Sequence, residues 1–416
     1  AFVLKTYDQA KNKILQDSDS LLLGIPTVIK DNIPLEGLPT PYGTYSFQAK
    51  NEKKTGKYAA QYLSTGMVSI GKSALPEFGL ICSTENPNWG ITRNPWNTDY
   101  TTGGSSSGSS ALVAAGVVPI ASANDGGGST RIPASCCGLV GLKPTRGRLV
   151  YTDGTNLLPI NIVHEGVVTR SVRDTAAFYA ETEKFFKNPK MPSIGHVQSA
   201  SSQRLKVLYF ENNLEGSLGH QDQDTFNTIK ENMKLMESLG HQVDIQPFPI
   251  RTEDYVNDFL AYYGFLSTAQ ILFAKNIDKN RIEPFTSGLS KYFKKNVLKF
   301  PSSLRRLKKA GKHFDEVFNS YDVVVTPVLA HETPKIGYFS IDLPYEEITR
   351  RVTSFTPFAA IQNISGSPAI SLPMGFSRNG LPIGLQYCAA FGQDKRLLEL
   401  AYELEAAQPW KFIFNK

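Results

Sequence analysis

The chain has 416 residues, 41% hydrophobic and 20% charged, with a mean hydropathy of −0.23. That composition is ordinary for a globular protein and excludes disordered, collagen-like and coiled-coil readings. No apolar run approaches the roughly 18–20 residues that span a bilayer. A chain this long buries a large core without cross-links. Its four cysteines, Cys82, Cys136, Cys137 and Cys388, form no CxxC pair, and two are adjacent, a geometry that strains a disulfide. They read as reduced core thiols in a reducing, cytoplasmic setting. The chain opens at Ala1-Phe2-Val3-Leu4, without Met and without the regions of a signal peptide, which fits an original N-terminus that was removed.

The formal net charge is +6. Twelve Lys and Arg against two acids fall between Lys275 and His313, so this stretch carries +10 and the remainder −4. It holds no nucleic-acid motif, and its ordinary reading is a solvated helix face.

In chain order, Leu23 to Ile29 predicts a strand, Ala59 to Ser64 the end of a helix, and Met67 to Gly71 a second strand. Thr101 to Ser110 is entirely Thr, Gly and Ser, which ordinarily marks a flexible linker. Here it runs straight into helix-like Ala111 to Gly116, then a strand at Val117 to Ala123, then a second glycine cluster. Linkers do not alternate with core elements at such short spacing. Ser171 and Asp174 fit a capping signal for a helix. Leu205 to Phe210, the helical spacing of Phe226, Ile229, Met233, Met236 and Leu239, and Gln242 to Pro247 make a strand–helix–strand unit, which implies a parallel pair. Arg251 to Ser320 reads as mostly helical and rich in Phe and Tyr. Strands return at Asp322 to Thr326, Ser367 to Pro373 and Ile383 to Ala389, before a final helix, Asp394 to Ala406. The fold class is α/β with a mixed sheet, without internal repeat.

Three segments carry chemistry. GIPTVIKDN ends an apolar strand on Lys30, which by itself is ordinarily a strand leaving the core. GGSSSGS, Gly103 to Ser109, could form an anion nest, but it lacks both a GK[ST] ending and a GxGxxG pattern, so nucleotide binding is not expected. DGGGSTRIP places Ser129 after three glycines, where backbone N–H groups can point at whatever the hydroxyl attacks, as an oxyanion hole requires. A serine hydroxyl needs a base. A lysine serves as one only when neutral, so its pKa must fall from about 10.4 toward 7, a shift that burial supplies.

His164, His196, His220, His241, His313 and His331 lie in none of these segments, and no GxSxG appears, so a Ser-His-Asp hydrolase is the weaker reading. His164 reads as a structural or pocket-rim residue. Without HExxH or a Cys/His cluster, no metal is expected, and no cofactor.

Together the three segments resemble the amidase signature family, whose pattern runs GxPxxxKD, GGSSGGS and DxGGSxRxPA…CGxxGxKPTxGR. Here they read GIPTVIKDN, GGSSSGS and DGGGSTRIPASCCGLVGLKPTRGR, with 75 residues from Lys30 to Ser105 and 24 from Ser105 to Ser129. The resemblance continues through GKSALPEFG, RNPWN, HEGVVTRSVRD and GSPAISLPMGF…GLPIGLQ, and thins between about residues 180 and 320. Ser107 stands where the family has Gly, and NDGGGS replaces TDTGGS. The pattern looks most like the 6-aminohexanoate cyclic dimer hydrolase branch, and less like the glutamyl-tRNA amidotransferase A subunit.

The resemblance implies an amidase signature fold: one domain over residues 1–416, with a twisted mixed sheet covered by helices on both faces. Residues 251–320 would be a helical insertion governing specificity. It implies that Ser129 is the nucleophile, Ser105 a proton bridge held in a cis peptide, and Lys30 the base. Gly126, Gly127, Gly128 and Ser129 would supply the oxyanion hole, with Ser106, Asp125 and Arg131 in support. The expected activity is hydrolysis of a linear or cyclic carboxylic amide through an acyl-enzyme. The alternatives are the amidotransferase subunit and a catalytically dead amidase-fold binding protein. The expected partner is a small-molecule amide; no nucleic acid or membrane span is expected, and a homodimer is allowed for.

Overall fold

The computed structural model describes residues 1–12, 19–86, 90–211, 221–247, 252–274 and 276–415, so His220 and Lys275 lie outside the described residues. The chain begins with β1 (Phe2–Lys5), α1 (Tyr7–Lys11), β2 (Pro26–Lys30), α2 (Lys57–Leu63) and β3 (Val68–Ser73). Two small ladders follow, β4 (Glu85–Asn86) with β5 (Gly90–Ile91) and β6 (Arg93–Asn94) with β7 (Asn97–Thr101). Then come α3 (Ser107–Ala114), β8 (Ile120–Asp125), α4 (Arg131–Cys137), β9 (Val140–Lys143), β10 (His164–Thr169) and α5 (Val172–Phe185). The expected strand–helix–strand unit is β11 (Lys206–Glu211), α6 (Gln223–Ser238) and β12 (Gln242–Pro247), and its strands pair in parallel. Three helices occupy the aromatic stretch: α7 (Thr252–Phe273), α8 (Pro284–Lys295) and α9 (Phe300–Glu316). The chain ends through β13 (Val323–Pro327), α10 (Tyr345–Phe355), α11 (Ile361–Ser365), β14 (Ala369–Phe376), β15 (Pro382–Ala389) and α12 (Asp394–Ala407).

The main sheet has eight strands in the order β12-β11-β13-β15-β14-β9-β10-β8, parallel at the β12-β11-β13 end and antiparallel beyond. Its central strands are buried throughout, because helices cover both faces and neither set of alternating side chains meets water. On one face Val140 and Leu142 of β9, Ile370 and Leu372 of β14, and Leu385 and Tyr387 of β15 join α2, α5 and α12 in a single core. On the other, α4 lies directly on the sheet. A Cβ on Gly141 would come 2.6 Å from Ala134 Cβ, and one on Gly384 would come 2.6 Å from Ser135 Oγ. Glycine at those two strand positions lets α4 sit close enough to fix the turn before it.

The Gly/Ser run is core, not linker. Helix α3 starts at Ser107, four residues ahead of the expected Ala111, because its small side chains admit close packing. A Cβ on Gly108 would come 2.3 Å from Ala74 N, and Ser109 Oγ donates to Ser122 O at 2.7 Å. The expected cap of α5 is present: Ser171 Oγ accepts from Asp174 N at 3.2 Å. The strand expected from Val117 begins at Ile120 instead, since Gly116 N and Val117 N turn back to Val113 O and Leu112 O. No helix among the described residues is long and apolar enough to cross a membrane.

Candidate active site

Strand β2 belongs to a small sheet with β1 and β3, yet it is tied to β8 of the main sheet. Lys30 N donates to Ser122 Oγ at 2.7 Å, and Thr27 Oγ1 donates to Ile120 O at 2.9 Å. Lys30 is the last residue of β2 and is fully buried. Its Nζ lies 2.9 Å from Ser105 Oγ, 2.9 Å from Ser106 Oγ and 2.6 Å from Asn124 Oδ1. Burial drives Lys30 down from 10.5 to about 7, opposed by the Glu165 and Asp125 carboxylates.

Ser105 follows a cis Gly104–Ser105 peptide bond, and Ser106 stands at the N-cap position of α3 without a side-chain capping bond. Ser106 N donates to Ser129 O at 3.2 Å, which ties the α3 entry to the turn between β8 and α4. That turn is built on the Asp125 carboxylate, which accepts from Gly128 N at 2.7 Å and Thr130 N at 3.2 Å. Arg131 grips the same carboxylate with Nε at 3.0 Å and Nη2 at 2.9 Å, and Asn363 Nδ2 reaches it at 2.9 Å. Burial alone would raise Asp125, but the Arg131 guanidinium and the Asn363 amide hold it well below the usual carboxylate range. Arg131 in turn bonds Gln362, Gln386, Asn363 and the Ala359 carbonyl, so the α4 entry is clamped to α11 and β15.

One expected oxyanion donor is corrected by this network. Gly128 N is spent on Asp125, because the tight turn folds it back onto the carboxylate that organises the loop. Gly126 N, Gly127 N and Ser129 N meet no acceptor among the described residues. Lys30 thus bonds Ser105 and Ser106, and Ser129 is tied to Ser106 through its main-chain oxygen and lines one cavity with Ser105, while Asp125 and Arg131 sit behind as support for the turn. His164 stands apart: its ring Nδ1 bonds Ile162 O at 2.8 Å, and burial lowers its pKa well below the usual value.

Ser129 lies where two recesses meet. A cavity of about 260 Å³ is lined by Ser105, Ser129, Asn124, Glu165, Tyr263 and Gln270, among others. An apolar recess of about 90 Å³ shares Ser129 and Tyr263 with it and adds Ile132, Tyr255, Phe259 and Val352. The aromatic stretch therefore reaches the site, through Tyr255, Phe259 and Tyr263 of α7 and Phe285 and Leu289 of α8. Phe293 and Phe300 pack against Phe265 of α7, with ring centroids 5.7 and 5.2 Å away. They buttress α7 through Phe265. The described Lys and Arg of these helices are exposed, as a solvated face requires.

Sequence reasoning missed Asn124 and Glu165. Asn124 pairs directly across the ladder with Glu165, and Asp125 with His164. Strand alternation therefore sends Asn124 and Glu165 to the Lys30 face and Asp125 to the Arg131 face. The signal available was the two-residue alternation within SAND and HEG. Glu165 Oε1 accepts from Thr152 Oγ1, and burial raises this carboxyl from 4.5 to about 7 against the pull of Thr152, Lys30 and Asn124.

Residues 3–398 match the family model described as Amidase. The chain is 42% identical to AmiC of Mycobacterium leprae (strain TN), over 98% of this chain and 88% of that protein. It is 34% identical to the 6-aminohexanoate-cyclic-dimer hydrolase of Pseudomonas sp. (strain NK87), over 83% of this chain and 75% of that one. A solved structure of 6-aminohexanoate cyclic dimer hydrolase complexed with substrate superposes with a TM-score of 0.87 and 27% identity, covering 100% of this chain and 92% of that one. A match along nearly the whole chain, on a buried Lys–Ser–Ser cluster, makes this protein a member of the amidase signature family of amide hydrolases.

Proposed function

We propose that the protein hydrolyses a linear or cyclic carboxylic amide through an acyl-enzyme on Ser129, with Ser105 as proton bridge and Lys30 as base. The observation that supports this most is the fully buried Lys30, lowered to about 7 by burial, with its Nζ 2.9 Å from Ser105 Oγ. A neutral amine has two hydrogens and one lone pair. Asn124 Oδ1 can only accept, so it takes one hydrogen; its amide orientation is set by Nδ2 donating to Asn32 Oδ1 at 3.0 Å. In the ammonium form both serine hydroxyls on Nζ accept; in the neutral form one accepts and the other donates into the lone pair.

With Ser105 donating, its proton passes to Lys30 as Ser105 takes the proton of Ser129. Ser129 Oγ attacks the carbonyl carbon, and the oxygen gathers charge facing the N–H groups of Gly126, Gly127 and Ser129. The C–N bond breaks as the leaving nitrogen receives a proton back through Ser105. Water, deprotonated along the same path, then attacks the ester and releases the acid. The substrate is a small molecule, no nucleic acid takes part, and four free buried thiols support a reducing compartment.

A panel of linear amides and esters, read by release of acid and amine, tests the reading together with fluorophosphonate labelling. The expected result is turnover by the isolated protein and a label on Ser129, both lost in Ser129→Ala with the fold retained. A label elsewhere, or a tenth of the activity kept by Ser129→Ala, would refute it. Glutaminase activity that needs a partner subunit would favour an amidotransferase.

A further inference from the structure

The cavity beside Ser129 contains buried acceptors that the protein leaves unanswered. Glu165 is 4% exposed, and its Oε2 makes no hydrogen bond at bonding geometry, although the Asn124 amide stands beside the carboxyl. Gln270 Oε1, reaching the same cavity from α7, is also buried without a partner. The nearby cations are engaged: Lys30 Nζ on Ser105, Ser106 and Asn124, and Lys57 at the rim on Asp153 at 3.3 Å. A buried carboxylate oxygen without a donor is costly, and such groups in native structures usually mark a place where a ligand or water supplies the missing bond. Two acceptors opening on one cavity ask for a donor-rich, positively charged group.

We propose that Glu165, with Gln270, receives an ammonium group of the substrate, so that the enzyme selects amides carrying a free amine away from the scissile bond. This rests on the reading of Ser129 as the nucleophile. The electrostatics suit it. Burial holds the Glu165 carboxyl at about 7, and a cation seated against it supplies the charge that keeps it ionised. The same cation offsets the field by which Glu165 raises Lys30, so a bound amine favours the neutral lysine that acylation needs. The other charged group acting on Lys30 from β8, Asp125, is already neutralised by Arg131.

The test uses two matched pairs of amides of equal length. In one pair a terminal amine is present or absent on the acyl chain; in the other, on the leaving group. The wild-type protein should favour the amine-bearing member of one pair at least tenfold in kcat/KM, chiefly through KM. Glu165→Gln should bring that ratio to within threefold of unity, and Glu165→Asp should recover part of it. A wild-type ratio near unity in both pairs, or a ratio unchanged in Glu165→Gln, overturns the inference. Should Glu165→Gln fail to fold, inhibition of the wild type decides: an alkylammonium should compete at least tenfold better than the alcohol of equal length, and equal inhibition overturns the inference. A protein that labels at Ser129 and hydrolyses both members alike refutes this inference alone. Absence of label and of hydrolysis fails the nucleophile reading and takes this inference with it.

Discussion

A lysine held near 7 makes acylation follow the fraction of Lys30 that is neutral, and the consequence is a defined pH–rate profile. The base works deprotonated, so log kcat/KM for an uncharged amide should climb with unit slope from pH 5 and level off above about pH 8. Two units below its midpoint, at about pH 5, the rate should be about 1% of the plateau. Removing the Glu165 charge by Glu165→Gln should move the midpoint down, because that carboxylate stabilises the ammonium form. His164→Asn should leave it in place, since the ring is neutral and bonded to Ile162 O. Lys30→Met should remove the limb with at least a hundredfold loss of rate. The same displacement has a cost in stability. The shift from 10.5 to about 7 corresponds to about 5 kcal/mol of penalty on the charged form. Between those two values the unfolded chain holds a proton that the folded protein does not, so wild-type stability should rise as pH climbs from 7 to 10.5. Urea unfolding at pH 7 and pH 10 should show less of this rise in Lys30→Met. A midpoint near 10, or one that moved with His164, would refute the reasoning.

Four further outcomes follow from the packing and the surface charges. Arg131→Met leaves the Asp125 carboxylate buried without its partner and should cost about 3–5 kcal/mol in urea unfolding; a loss under about 1 kcal/mol would contradict the clamp. Gly384→Ala places a methyl 2.6 Å from Ser135 Oγ and should displace α4, destabilising by about 1–3 kcal/mol and slowing fluorophosphonate labelling of Ser129. Replacing Lys294, Lys295 and Arg305 by Gln should leave amide turnover within about twofold, because exposed charges are screened over about 10 Å at 0.1 M salt. Adding Arg306→Gln should lower the melting temperature, since Arg306 Nη2 holds the buried Asp258 of α7 at 2.5 Å.

Lys30, Ser105 and Ser129 were singled out in the sequence by the resemblance of their three segments to the amidase signature; only the glycines before Ser129 gave a local physical reason of their own. The α/β class and the parallel β11-β12 unit were legible because hydrophobic spacing along a short segment reports its own period. What lay beyond the sequence was every relation between segments distant along the chain. That α3 would begin inside the Gly/Ser run depended on Ala74 approaching Gly108. That Gly128 would spend its N–H depended on how Arg131, Asn363 and Asp125 assemble around one carboxylate. That α7 would line the cavity while Phe293 and Phe300 pack on its Phe265 depended on how α7, α8 and α9 come together in space. Glu165 is the clearest case: its place opposite Asn124 comes from the register of an antiparallel pair, and its missing partner from burial that only the closed fold imposes. Local sequence sets what a side chain can do; the dielectric, neighbours and reach that decide what it does are properties of chain segments brought together in space.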